Sequence, residues 1–253
     1  MTAQTLYNII LWASAPLAIA IFVSLLFIPA PYGRHARRGW GPAIPNRFGW
    51  MIMESPSAIL FAILFFLGDV PQTLPMLIFL VLWESHYFHR TFIYPFRIAN
   101  GKKGMPVSVI LMGITFNLGN AYINGYYLFS LSGGYPDSWL REPQMLVGVV
   151  IFVLGFTINK WADHVLRTIR LKSQAEYQIP YGGLYRWISC PNYFGEILEW
   201  IGWAIATWSL PGLAFAVLTI ANLAPRALAN HHWYHDKFAD YPSVRKALIP
   251  KVW

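Results

Sequence analysis

The chain has 253 residues, 56% hydrophobic and only 12% charged, with a net charge of +8 and a mean hydropathy of +0.42. Soluble domains carry about 25% charged residues, so the composition excludes an ordinary soluble enzyme and points to an all-α polytopic membrane protein. One cysteine, Cys190, excludes an internal disulfide framework and offers no metal motif.

Apolar runs separated by turn residues predict seven transmembrane helices, over 5–29, 50–67, 73–96, 106–130, 143–164, 192–209 and 211–232. Each is near the length of about 20 residues that a bilayer core demands. The first run lacks a basic n-region and is longer than an h-region, so a cleavable signal is not expected. Pro29 and Pro31 end the first span, Gly68 and Pro71 separate the second from the third, and Ser209–Gly212 makes the sixth turn tight. No repeat, linker or low-complexity segment interrupts the chain, which predicts a single domain over 1–253.

Loop charges orient these spans. Arg34, Arg37, Arg38 and Arg47 lie in the first loop, and Arg97, Lys102 and Lys103 in the third. Arg167, Arg170, Lys172 and Arg186 follow in the fifth, and Lys237, Arg245, Lys246 and Lys251 in the tail. The alternate connections hold only Asp69 in one, Asp137, Arg141 and Glu142 in the next, and no charge in Ser209–Gly212. The positive-inside rule then places the N-terminus outside and the C-terminus in the cytoplasm. Topology and attraction to anionic membrane lipid explain most of the positive charge, and some cations fall at helical spacing with polar partners, which topology alone does not require. No soluble basic domain exists to bind nucleic acid.

Polar residues inside apolar spans are expensive and mark candidate sites. Glu54 stands near the start of the second span, where a helix N-terminus also favours a carboxylate. In residues 83–97, Tyr87, Arg90 and Tyr94 share a helical face, with His86 beside them. An interfacial aromatic belt accounts for the Tyr and Trp of this segment, but not for two histidines, Glu84 and Arg90 packed among them. Asn159, Asp163, Arg167 and Arg170 form one polar stripe at spacings of 4, 4 and 3. An Asp163–Arg167 pair at i,i+4 is its plain structural explanation. Tyr177, Tyr181 and Tyr185 lie in a turn-rich loop before the sixth span. Asn192, Glu196 and Glu199 then fall on one face of that span, and two explanations stay open: a ligand, or neutralisation by neighbouring arginines that hold helices together. Arg226, Asn230 and Tyr234 repeat at i, i+4 and i+8 with His231 and His232 between them, but no HxxxH pair or carboxylate at ligand spacing supports a metal.

Cations, amides, carboxylates and tyrosines toward the cytoplasmic halves are the inventory that a large polar nucleotide needs. No strand pattern and no GxGxxG element exist, so a Rossmann domain is absent and any nucleotide must bind inside a helical bundle.

The segments WMIMESPS (50–57), HYFHRTF (86–92), NGYYL (124–128), IPYGGL (179–184), GEILEWIG (195–202), ATWSLP (206–211) and DYPSVRKALIP (240–250) resemble those of the steroid 5α-reductase family and its bacterial members. The resemblance runs through most of the chain and is strongest from Trp50 onward. It implies a seven-span reductase of the bacterial inner membrane, monomeric, that uses NADPH on the 4,5 double bond of a 3-oxo-Δ4 steroid. Tyr87 and Glu54 match the family's catalytic pair, and Trp50, Glu54, Tyr87 and Phe116 its substrate-binding positions. Tyr32, Arg34, Asn159, Asp163, Arg167, Arg170, Tyr177, Asn192, Glu196, Arg226, Asn230 and Tyr234 match its cofactor-binding positions. The cofactor's phosphates are expected toward the basic rim that includes Arg34, Arg97, Lys102 and Arg170.

Three departures bear on the substrate. Met53 stands where vertebrate members have Gln, Asn230 where the better-known members have His, and Met112 where they have Arg. Another enone lipid is the alternative substrate. The GEILEWIG element is shared in form with isoprenylcysteine-type methyltransferases, so a membrane enzyme using S-adenosylmethionine is the alternative activity. A transporter would place its charges near the midplane and often shows repeated halves, and neither feature is evident.

Overall fold

Long apolar stretches with few helix breakers become helices, and about 75% of the described residues are helical. The computed structural model describes residues 1–98, 104–172 and 177–253. Lys102 and Lys103 lie outside the described residues. In chain order the elements are α1 (Ala3–Phe27), β1 (Ala43–Pro45), α2 (Asn46–Leu67), α3 (Leu74–Phe88), α4 (Tyr94–Arg97), β2 (Gly104–Pro106), α5 (Val107–Tyr126), α6 (Pro143–Lys172), α7 (Pro191–Thr207) and α8 (Leu210–Lys237). Proline opens α6 and α7 at the one helical position where its missing N–H costs nothing.

Among the described residues, five helical segments are long and apolar enough to cross a membrane: Ala3–Phe27, Asn46–Leu67, Val107–Leu131, Pro143–Lys172 and Leu210–Lys237. The other two expected spans are built differently. The third is divided into α3, a π-helical turn over His89–Ile93, and the single turn α4. The sixth, α7, has 17 residues and stops at Trp208, whose backbone is left-handed at φ 45°. Helices α6 and α8 run further than hydropathy alone suggested, carrying the polar stripes onward as regular helix.

The expectation of no strands is corrected. Ala43–Pro45 and Gly104–Pro106 pair antiparallel, Ile44 opposite Met105. Strands of three residues ending in proline show no alternation that a sequence pattern could reveal.

The chain forms two compact units. The first comprises Met1–Ala13, Ala30–Leu146 and Ser209–Pro211, and the second comprises Ser14–Pro29, Val147–Trp208 and Gly212–Trp253. In the first unit α2 packs on α5 and α3. Phe61 stacks on Trp83 with ring centroids 4.3 Å apart and planes at 8°, and Phe129 meets Phe61 and Phe65 edge-on. Gly113 receives the Met53 side chain, and Gly125 lies against Leu64 and Phe61, so α2 and α5 run side by side in close contact.

In the second unit α6 and α7 touch backbone to backbone. A methyl at Gly148 would strike Ala206, at Gly155 the Glu199 backbone, at Gly195 the Asn159 backbone, and at Gly202 the Phe152 backbone. Helix α8 closes over this pair, with Phe215 4.1 Å from Trp200 between centroids. The C-terminal tail is tied down by the Ser189 N–H donating to the Lys246 carbonyl at 2.8 Å and the Cys190 N–H to Ala247 at 3.2 Å.

Candidate active site

Residues singled out from sequence separate cleanly. Tyr32, Arg34, Trp50, Glu54, Tyr87 and Phe116 lie in the first unit, and Asn159, Asp163, Arg167, Arg170, Tyr177, Asn192, Glu196, Arg226, Asn230 and Tyr234 in the second.

In the first unit Glu54 is 6% exposed on α2. Arg90, from the π-helical turn, donates from Nη2 to Glu54 Oε1 at 3.2 Å. Asn117 of α5 donates from Nδ2 to the Met53 carbonyl at 2.7 Å and approaches Glu54 Oε2 at 3.3 Å. The Arg90 guanidinium lies over Trp50 at 4.4 Å and beside Tyr94 at 5.3 Å. Trp50 also meets Tyr94 and Tyr32 edge-on. Tyr87 is 2% exposed, its ring packed 5.0 Å from both Trp83 and His86. Phe116 and Arg34 are half-buried. A regular helix would have set Tyr87, Arg90 and Tyr94 on one face. The wide turn between α3 and α4 alters that register, a feature frequent at functional sites.

In the second unit, the close approach of α6 and α7 produces a hydrogen-bonded mesh. Asn159 Nδ2 donates to the Asn192 carbonyl at 2.9 Å and to Glu196 Oε2 at 3.3 Å. Asn192 Nδ2 donates to Asp163 Oδ1 at 3.1 Å. Asn159 is 1% exposed, and its Oδ1 is buried with no donor facing it. Arg170 lies 5.2 Å over Tyr177, and Arg226 donates to the Tyr193 hydroxyl at 3.2 Å. Asn230 points its amide at Cys190 Sγ, 3.7 Å away. Tyr234 stacks on Tyr241 with centroids 5.1 Å apart and planes at 9°. Arg167 also reaches within its own helix, its Nη2 sitting 3.2 Å from His164 Nδ1.

Sequence reasoning missed the contacts that hold these groups. Asn117 was legible as one of Asn117, Asn120 and Asn124, an i, i+3, i+7 row on an apolar helix. In the second unit Ser189 Oγ sits 2.6 Å from His231 Nδ1 and 2.7 Å from the Tyr241 hydroxyl, which fixes the ring on which Tyr234 stacks. Burial lifts the Tyr241 hydroxyl above its ordinary pKa, while its bonds to Ser189 and Arg245 and the Arg245 charge pull it back down. Glu199, on the same face as Glu196, is fully buried where Gly155 meets its backbone.

The family model described as 3-oxo-5-alpha-steroid 4-dehydrogenase matches residues 103–253. The steroid 5-alpha-reductase of Gossypium hirsutum is 42% identical over 99% of this chain and 98% of its own length. The 3-oxo-5-alpha-steroid 4-dehydrogenase 1 of Bos taurus is 39% identical with the same coverage. The 3-oxo-5-alpha-steroid 4-dehydrogenase 2 of Homo sapiens is 40% identical over 93% of this chain and 91% of its own length. The chain belongs to the steroid 5-alpha-reductase family. Membership of the steroid 5-alpha-reductases makes it an oxidoreductase, and the methyltransferase alternative raised by GEILEWIG falls away. The coverage also means that both units, with the Glu54 constellation and the Asn159 mesh alike, lie within the length shared with steroid 5-alpha-reductases.

Proposed function

We propose that the protein is a membrane-embedded, NADPH-dependent reductase of the 4,5 double bond of 3-oxo-Δ4 steroids. The observation that carries this is chain-long kinship with steroid 5-alpha-reductases, in a protein whose buried Tyr87 and Glu54 stand on neighbouring helices. Long helices with exposed Ile59, Ile63, Phe66, Leu146, Val150, Val153 and Leu154 present the surface that lipid would cover. Counting α3 with its extension through α4, and the short α7, gives the seven crossings of the sequence reading. The basic loops then face the cytoplasm together with the C-terminus, which a C-terminal compartment reporter tests. The named relatives come from plants and mammals, so a bacterial inner membrane rests on the sequence resemblance alone. A monomer surrounded by membrane lipid is the form envisaged.

A nicotinamide cofactor asks for an amide partner, ribose acceptors and cations. The second unit has these: the buried Oδ1 of Asn159 accepts hydrogen bonds, Glu196 and Asp163 are acceptors, and Arg170 and Arg226 lie against tyrosines. Asn192, Tyr177, Asn230, Arg167 and Tyr234 complete the part of the family's cofactor set that lies in this unit. When bound, NADPH supplies the hydride for C5 of the steroid. The substrate's C3 oxygen gains negative charge as that bond forms. Tyr87 donates a hydrogen bond to this oxygen, and Glu54 acts beside it. A proton taken up from water at C4 completes the conversion of the double bond to a single bond. Trp50 and Phe116 supply apolar surface for the ring system. Met53 and Met112 are the residues that tune the substrate class, toward another enone lipid if a 3-oxo-Δ4 steroid is turned over slowly.

Purified protein in detergent should consume NADPH in proportion to a product two mass units heavier than its 3-oxo-Δ4 steroid. It should bind NADPH more tightly than NADH, since Arg170 on the cofactor-binding unit can meet the 2′-phosphate, and added salt should weaken that binding. Equal affinity for the two cofactors sinks the NADPH assignment, and methyl transfer from labelled S-adenosylmethionine without reduction sinks the activity.

Glu196→Gln is expected to raise the NADPH dissociation constant about tenfold, the loss of one charged hydrogen bond. The melting temperature should hold, because Gln still accepts from Asn159. A variant that binds NADPH normally but melts early shows that Glu196 only supports the helices.

A further inference from the structure

We propose that Arg90 and Asn117 are positioning residues that hold the Glu54 carboxyl as a hydrogen-bond acceptor, which leaves donation to the substrate carbonyl to Tyr87. The proposal rests on the reductase reading above and deepens it. Glu54 is buried, and a buried carboxyl keeps its place only where donors meet it. Two different elements supply them, one to each oxygen: Arg90 Nη2 at 3.2 Å from Oε1, and Asn117 Nδ2 at 3.3 Å from Oε2.

Neither contact is open to the reverse polarity. A guanidinium has donors and no acceptor. The Asn117 amide nitrogen also faces the Met53 carbonyl at 2.7 Å, and a carbonyl oxygen only accepts. The atom there must therefore be the NH2 group, which settles an amide orientation that is otherwise a matter of assignment. Glu54 must accept from both.

Each donor is fixed in turn. Asn117 is anchored to the backbone of the residue that precedes Glu54. The Arg90 guanidinium rests on Trp50, one helical turn before Glu54, and on Tyr94 at the far end of its own π-helical turn. The carboxyl is thus held at both of its oxygens by donors that are themselves anchored. Packing of α2 against its neighbours does not depend on these contacts. The Phe61–Trp83 stack joins α2 to α3, and Gly125 receives Leu64 and Phe61 where α2 meets α5. A carboxyl met by a donor at each oxygen is fixed in orientation, which suits it to orient the group beside it.

The test uses the full-length protein in detergent with NADPH and a 3-oxo-Δ4 steroid, reading kcat, NADPH affinity and melting temperature. Arg90→Gln should lower kcat by about 10- to 100-fold, the scale of a displaced active-site group. NADPH affinity should stay within about twofold, since the charge carries no part of that interaction. Arg90→Lys should not rescue, because an ammonium lacks the planar fork and the stacking surface. In a Glu54→Gln background the further change Arg90→Gln should cost little, because the group being positioned has already gone. Asn117→Ala should behave like Arg90→Gln, and it carries the test alone if Arg90→Gln does not fold.

Unchanged kcat, losses that multiply in the double variant, or losses that follow melting temperature and NADPH affinity all overturn the proposal. A wild-type protein without NADPH-dependent reduction overturns the reductase reading and the proposal with it. An active wild type with an equally active Arg90→Gln overturns the proposal alone.

Discussion

Tyr87→Phe is expected to cut kcat for steroid reduction by about 10²–10³-fold, the usual cost of removing one donor to a developing oxyanion. The change deletes a single hydroxyl. The ring is 2% exposed and packed 5.0 Å from Trp83 and from His86, and phenylalanine keeps both contacts. Stability and NADPH affinity should therefore hold while the chemical step fails, which separates this variant from one that merely loosens the site. A donor aimed at the C3 oxygen matters most as charge builds there, so the loss should fall on kcat more than on KM. Glu54→Gln should also lose activity. The double variant should lose less than the product of the two, as groups that act as a unit do. Near-normal reduction by Tyr87→Phe would show that the family's donor assignment does not carry over to this chain.

The sequence marks which faces are polar, and it is silent about what each face meets. Asn159 and Asp163 at i,i+4 on α6, and Asn192 and Glu196 at i,i+4 on α7, are legible as two polar faces. Their joining into one mesh depends on four backbone approaches at Gly148, Gly155, Gly195 and Gly202, which no hydropathy pattern encodes. Arg90 stands out as a cation among aromatics, yet its partner Glu54 is 36 residues away and is reached from a π-helical turn that periodicity treats as regular helix. Spacing offered Arg167 only Asp163, and the structure adds a neighbour three residues back, with Nη2 3.2 Å from His164 Nδ1. The short β1–β2 pairing escapes notice because three residues carry no period. Family resemblance supplied Tyr87 and Glu54. Asn117, which resemblance did not supply, was visible only as a row of amides on an apolar helix.

Gly155→Val is expected to be the most damaging single change in the second unit. A side chain at this position would meet the Glu199 backbone nitrogen and the Gly195 carbonyl oxygen, not a flexible side-chain end. Backbone cannot rotate away, so α7 must shift bodily from α6. The cost should lie at the upper end of the overpacking range, about 3 kcal/mol or more. The shift also pulls on the mesh one turn along, where Asn159 reaches the Asn192 carbonyl at 2.9 Å and Glu196 at 3.3 Å. NADPH affinity should fall by roughly tenfold or more, because those donors and acceptors then miss their places by more than a hydrogen bond tolerates. Gly119→Ala is the matched control in the first unit. Its methyl would meet only Ile10 Cγ2 at 3.6 Å, an ordinary contact, and replacing a helical glycine should gain about 0.5–1 kcal/mol. Thermal melting in detergent and NADPH titration of the two variants should thus move in opposite senses, the first down in both, the second up in stability with binding unchanged. A Gly155→Val protein that melts with the wild type and retains NADPH would mean that α6 and α7 do not meet through their backbones, and the cofactor assignment of Asn159 and Glu196 would lose its geometric basis.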